Sequence, residues 1–271
     1  MISILIPVYN YDVSNLITEL NFQLLNTNIE YEIICVDDAS EKYLSENSII
    51  PNFKFIALKT NIGRSKIRNL LVKESKFDWL LFLDADVIPE SKNFINNYIE
   101  FINKNSIRVC CGGIVYQKNK PESTKLLRWV YGKNREEIDV STRNSNLYRY
   151  FFAANILIHK SIFDKITFNE TIIKYGYEDV LFAQELVVNE IAVIHINNPV
   201  THNGIEENEV FLNKTKESSK LSNIELAICL LKKNPMEMIL QKATELGVSR
   251  ITPIISERTE VKELNYERAQ K

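Results

Sequence analysis

The sequence predicts an α/β fold built on a mostly parallel central sheet flanked by helices. Three observations carry that expectation. Short β-branched apolar runs alternate with amphipathic helical stretches through the first two thirds of the chain. Glycine and proline number only seven each in 271 residues, which disfavours a loop-rich all-β sandwich. Apolar residues make up 45% and charged residues 25%, the balance of an ordinary globular protein and not of a disordered, collagen-like or disulfide-scaffold chain.

Buried-strand candidates by length and residue type are Ile2 to Val8, Tyr31 to Val36, Phe53 to Leu58, Trp79 to Leu83 and Ile107 to Val115. Helical spacing falls between them. Ser14 to Leu25 lines up Leu16, Ile17, Leu20, Leu24 and Leu25, the run from Gly63 to Lys73 groups Ile67, Leu70 and Leu71, and Ser91 to Asn103 groups Phe94, Ile95, Tyr98 and Phe101. From Lys118 to Arg149 the pattern loosens into a long polar connection holding a short helix around Leu126 to Tyr131. A strand at Phe151 to Ile158, a helix from about Tyr177 to Val188, a strand at Ile191 to Ile196 and a polar helix from about Glu206 to Lys233 follow.

The formal net charge of -2 provides no overall field for nucleic acid, so no nucleic-acid partner is expected. The N-terminal Met1-Ile2-Ser3-Ile4-Leu5-Ile6-Pro7 lacks a basic region and reads as a strand, not a secretory signal. No apolar run approaches the roughly 18 residues of a spanning helix. Cys35, Cys110, Cys111 and Cys229 have no C-x-x-C spacing, and three of them sit in apolar strand patterns. A reduced, cytoplasmic chain is expected.

Ligands of such sheets bind beyond the carboxyl ends of the strands. Those ends read Pro7-Val8-Tyr9-Asn10, Asp37-Asp38-Ala39-Ser40 and Asp84-Ala85-Asp86. A D-x-D at a strand end suits a hard divalent cation that keeps positions open for phosphates, and it equally suits an Asx-type turn. In Tyr175-Gly176-Tyr177-Glu178-Asp179, paired acids open an apolar helix; they either cap its free N–H groups or serve as acid-base groups. His202 follows the turn-rich Asn197 to Thr201 past a strand end, as a ligand or as an exposed loop imidazole, while His159 and His195 lie in strand patterns. Arg64 and Arg68 lie on a helix, where they either serve a ligand or face solvent. Trp129, with Tyr131, Arg128 and Arg135, either offers aromatic faces and arginines to a ligand or packs into the core.

Taken together, Pro7-Val8-Tyr9-Asn10, Val36-Asp37-Asp38-Ala39-Ser40, Asn61-Ile62-Gly63-Arg64 with Arg68-Asn69, and Leu83-Asp84-Ala85-Asp86 resemble the nucleotide-sugar half of family 2 glycosyltransferases, whose fold is called GT-A. The resemblance runs from residue 2 to about residue 220. It implies a domain over 1–222, with a nucleotide-sugar half at 1–116 and an acceptor half at 117–222. It further implies that Pro7 and Tyr9 line the base pocket and that Asp38 accepts from a uracil-like N3–H. Asn61, Gly63, Arg64 and Arg68 border the donor, Asp84 faces the ribose, and Asp86 with His202 holds Mn2+ or Mg2+. Asp179 becomes the base, Glu178 positions acceptor or base, and Tyr177, where the family often has Trp, meets the acceptor. The implied reaction is inverting transfer from a nucleotide-diphosphate sugar, UDP-linked, to a glycan or lipid-linked hydroxyl, a polysaccharide-building chemistry compatible with peripheral attachment at the inner face of a membrane.

Residues 224 onward change character. Met236 to Val248 followed by Ile251 to Arg258 is similar to the start of the catalytic domain of SPOUT-class ribosomal RNA uridine methyltransferases. The run to Lys271 has no glycine-rich knot for S-adenosylmethionine and no basic stripe, so 223–271 is expected to be an appended, non-functional fragment. Two other classes compete. A nucleotidyltransferase would carry a glycine-rich phosphate loop where this chain has Tyr9-Asn10-Tyr11-Asp12, and a non-catalytic RNA-associated module would be defined by the tail.

Overall fold

The computed structural model describes residues 1–42, 50–172, 176–219, 225–229, 239, 248 and 250–254. Tyr175 lies outside them, and of the helix expected over 236–248 only residues 239 and 248 fall within them. The chain divides into two compact units, residues 1–208 and 209–271.

The first unit opens with β1 (Ile2–Val8), α1 (Ser14–Leu25), β2 (Tyr31–Asp37), β3 (Phe53–Ala57), α2 (Arg64–Glu74) and β4 (Trp79–Leu83). Next come β5 (Val87–Pro89), α3 (Phe94–Lys104), β6 (Val109–Cys111), β7 (Ile114–Tyr116), α4 (Leu126–Arg135) and α5 (Val140–Ser145). It closes with β8 (Asn155–His159), α6 (Glu178–Val188), β9 (Val193–His195) and β10 (Val200–His202). The second unit contains α7 (Asn208–Ser219), whose first residue belongs to unit one, and the parallel pair β11 (Glu225–Cys229) and β12 (Arg250–Ile254).

Seven strands form one sheet in the order β3-β2-β1-β4-β8-β6-β9. The four strands β1 to β4 run parallel, β8 is antiparallel to β4 and β6, and β9 runs parallel to β6. The near-continuous apolar runs of β1, β2 and β4 follow from burial on both faces, whereas edge strand β3 carries Lys54 and is only partly covered. Ile4, Ile6, Ile33 and Leu81 pack with Leu16, Ile17 and Leu20 of α1 and Phe94, Tyr98 and Phe101 of α3. Leu5, Ile34, Leu80 and Phe82 turn the other way, onto Ile67 and Leu71 of α2 and Phe182 and Leu186 of α6. The rings of Phe168 and Phe182 stack with centroids 4.5 Å apart, which fixes the start of α6 against the sheet.

The single strand expected over 107–115 is instead two. β6 belongs to the large sheet, whereas β7 joins a small sheet of order β5-β10-β7. Gly112 and Gly113 make the switch. A Cβ at Gly112 would collide with the Tyr98 hydroxyl, the Asn155 amide and the Asn198 carbonyl, and Gly113 sits at φ +94°. Asn155 secures the crossing: it accepts from Tyr98 Oη at 2.6 Å and donates to the carbonyls of Gly113 at 2.8 Å and Asn198 at 2.9 Å. The same small sheet corrects the expectation for His202, which ends β10 in register with Val87 and Tyr116 and is not in a loop.

Gly112→Ala forces a methyl group onto a backbone carbonyl as well as two side chains. Overpacking of this kind costs about 1–3 kcal/mol, which at about 2–4 °C per kcal/mol predicts a melting temperature lowered by several degrees in a thermal denaturation scan.

Candidate active site

Because β1, β2 and β4 are parallel, their carboxyl ends open on one rim, and Tyr9, Asp38 and Asp84 follow there directly. Tyr9 is 55% exposed at this rim, and half-buried Pro7 sits within β1 beside Val36. Asp38 is buried and accepts from the backbone N–H of Ile62 at 2.6 Å and of Gly63 at 2.9 Å, one on each oxygen. Asn61 donates to the Asp38 carbonyl at 3.1 Å. Together these bonds weld the loop before α2 to the end of β2, and each carboxylate oxygen keeps a second lone pair. Gly63 adopts φ +87°, a turn into α2 that a side chain would strain. Asp37 serves the fold: it is fully buried and accepts from the backbone and hydroxyl of Ser40.

Arg68 is 3% exposed, which removes the solvated-face alternative for it. Its Nη2 donates to Asp84 Oδ1 at 2.9 Å, and its Nη1 lies 3.6 Å from Glu178 Oε1. Half-exposed Arg64 reaches the same Glu178 oxygen at 3.3 Å. Burial opposes the charge of Arg68, but Asp84, Asp179 and Glu178 outweigh it and hold the guanidinium above its ordinary value.

The acids at the start of α6 do not cap it. Tyr177, at φ 70° and 39% exposed, occupies the N-cap position, and its side chain makes no capping bond. The carboxylates point across the site: Glu178 toward the two arginines, Asp179 Oδ2 to the N–H of Ala153 at 2.9 Å. Burial pushes the Asp179 carboxyl up to about 7, with Arg68 pulling it down and Glu178 pushing it further up.

Asp86 keeps 29% side-chain exposure and faces His202, its Oδ2 3.6 Å from Nε2. Burial raises the Asp86 carboxyl above its ordinary value, His202 lowers it and Asp84 raises it. Gly204 leaves the space this carboxylate fills, because a Cβ there would strike Asp86 Oδ2. His202 stacks on Tyr116 at 5.3 Å, and its Nε2 lies 3.4 Å from Arg128 Nη2. Among the described residues no group of three or more His, Cys, Asp or Glu is placed to hold an ion unaided. Asp86 Oδ2 and His202 Nε2, 3.6 Å apart, are donor types that suit a cation completing its shell with phosphate and water, and Arg128 Nη2 stands 3.4 Å from the same nitrogen.

Trp129 packs at the edge of the core and donates its indole N–H to the Gln117 carbonyl at 2.9 Å; Tyr131 of α4 is 46% exposed, with the Arg128 guanidinium 5.9 Å from its ring. Sequence reasoning missed Tyr116 and Glu136 as neighbours of this site. Buried Arg128 donates to Glu136 at 3.1 Å, and its guanidinium lies over the Tyr116 ring. The available signal was Gly132, one turn after Arg128: a Cβ there would enter the Tyr116 ring, and a mid-helix glycine marks such a close approach.

A mostly parallel α/β sheet with this acidic rim defines a GT-A type domain. The glycosyl transferase family 2 model matches residues 3–177, and the chain belongs to that family. An RNA methyltransferase domain model matches residues 217–271. An uncharacterized glycosyltransferase of Haemophilus influenzae is 38% identical over 105 residues, spanning 37% of this chain and 35% of that relative. The fold is similar to S. aureus TarS 1-349, at TM-score 0.51 and 20% identity over 90% of this chain and 70% of that one. The same protein in complex with UDP-GlcNAc gives 0.52 and 20% identity over 82% and 67%. The mannosyltransferase PcManGT of Pyrobaculum calidifontis, in complex with GDP-Man and Mn2+, gives 0.54 and 11% identity over 80% and 61%. No helix among the described residues is long and apolar enough to cross a membrane.

The raised Asp179 carboxyl sets a sign for stability. A carboxyl held up to about 7 when folded favours the protonated state, so its contribution is intact below the unfolded value near 4 and is lost as pH rises through 7. Asp179→Asn is therefore expected to melt about 3 °C or more above the wild type at pH 8. That gap narrows steadily between pH 7 and pH 5 in a pH series of thermal denaturation.

Proposed function

We propose that this chain is an inverting glycosyltransferase that moves a sugar from a nucleotide-diphosphate donor, UDP-linked, to a hydroxyl of a glycan or lipid-linked acceptor. The observation that carries this reading is the convergence of Asp84, Arg68, Glu178 and Asp179 beside the Asp86–His202 pair. Support for the donor comes from relatives of the same fold whose complexes hold UDP-GlcNAc or GDP-Man with Mn2+.

Tyr9 provides a flat face for the base, while the remaining lone pairs of Asp38 accept from its N–H. Asp84 takes ribose hydroxyls, and Arg64 borders the phosphates. Asp86 and His202 would hold Mn2+ or Mg2+, which supplies charge neutralisation for the departing diphosphate. Asp179 removes the proton from the acceptor hydroxyl. The acceptor oxygen then forms its bond to the anomeric carbon on the side opposite the diphosphate, and the bonding pair of the broken C–O bond leaves with the diphosphate. A carboxyl near neutrality is well placed for this task, because it is a stronger base than an ordinary carboxylate and a substantial fraction of it is ionised at neutral pH. Glu178 orients the sugar or the acceptor, and Tyr177 with Tyr131 offers aromatic surface to the acceptor.

In a thermal-shift panel, UDP-sugars with Mn2+ are expected to raise the melting temperature more than either component alone, and Asp86→Asn should abolish the metal-dependent part. Stabilisation by RNA, with none by nucleotide sugars, would reject the reading. Asp179→Asn should still bind donor but lose about 10²–10⁴-fold in turnover, measured as release of nucleoside diphosphate with acceptor present.

A further inference from the structure

We propose that Arg68 is the positioning residue that sets the pH at which Asp179 becomes a base, through a charge it shares between Glu178 and Asp179. This rests on Asp179 as the base proposed above. The arrangement is unusual for a buried cation. Arg68 is 3% exposed, and its Nε and Nη1 find no hydrogen-bond partner, although Glu178 Oε2 and Asp179 Oδ1 are also buried and unbonded. It is covered by the Phe168 ring, 5.6 Å from its guanidinium carbon. Asn69, the next residue of α2, donates to the Phe168 carbonyl at 2.9 Å and accepts from its N–H at 3.0 Å, so the lid over the guanidinium is fixed to the helix that carries it. Only one fork of Arg68 is spent in a hydrogen bond, on Asp84, and the other works across a gap by charge.

Among the described residues the groups facing Asp179 are few. Arg68 comes from α2, Glu178 from its own helix, Asp84 from the end of β4, the Cys111 thiol from β6, and the Ala153 N–H from the segment before β8. Burial keeps the Cys111 thiol neutral. Two of the remaining groups are like charges, one is a neutral donor, and Arg68 is the cation that acts on Asp179 among them. In a water-poor setting a charge 3.6 Å from Glu178, the residue next to Asp179, weighs heavily on the protonation of the groups around it. A structural ion pair alone would fix α2 to α6; a shared charge also moves the titration of Asp179, and that difference is measurable.

The test uses the full chain labelled with [13C]aspartate, the Asp179 carboxyl resonance being assigned by its loss in Asp179→Asn. Titration from about pH 5 to about pH 10 is expected to give an inflection near 7 in the wild type. Arg68→Met should move it up by about one unit or more, a tenfold shift in proton affinity, and Arg68→Lys, with the charge on a shorter arm, should fall between. An unchanged inflection in Arg68→Met overturns the proposal. Should that variant fail to fold, Arg68→Gln decides: an inflection that does not rise overturns it. The titration reads Arg68 whatever the turnover, whereas normal transfer by Asp179→Asn would remove the base assignment and leave the titration standing.

Discussion

A guanidinium taken out of water has to be surrounded by negative charge, and the placement of Arg68 fixes where that charge must come from. It sits on the inward face of α2, between the sheet and α6, and draws Asp84 from one side and Glu178 from the other. The guanidinium in turn could not stay buried without them: removing its acidic partners leaves a desolvated charge, which costs far more than an exposed pair contributes. The carboxyl end of β4 and the first turn of α6 are thereby joined through one side chain. The aromatic stack of Phe168 on Phe182 and the Asn69 clamp hold the cation at that junction from the apolar side.

Much of the fold could be read directly. β1, β4 and α1 coincide with the expected runs, because strands buried on both faces and helices with one apolar stripe leave strong periodic marks. The short strands were not legible. β5 and β10 span three residues each and earn their place through pairing with distant segments, which no local pattern reveals. The break at Gly112 and Gly113 was hidden for a similar reason: Val109 to Tyr116 is uniformly apolar around the glycines, and the need for a gap comes from Tyr98, Asn155 and Asn198, all remote in sequence.

The site divides the same way. Asp38, Asp84 and Asp86 declare themselves at strand ends, and the Glu178-Asp179 pair at a helix start. What composition could not show is direction. An acidic pair opening a helix usually turns back to the free N–H groups, and here both side chains turn outward because arginines on α2 and the Ala153 N–H offer better partners. Tyr116 and Glu136 were invisible for lack of any charge pattern, and only the glycine at 132 hinted that an aromatic ring passes close to α4.

The two bonds from Asp38 to the N–H groups of Ile62 and Gly63 carry a further consequence. The carboxyl end of β2 and the loop that leads into α2, the helix that bears Arg68, are tethered to each other through one carboxylate. Loss of that carboxylate would therefore be felt at two places at once, the strand end and the entry to the helix.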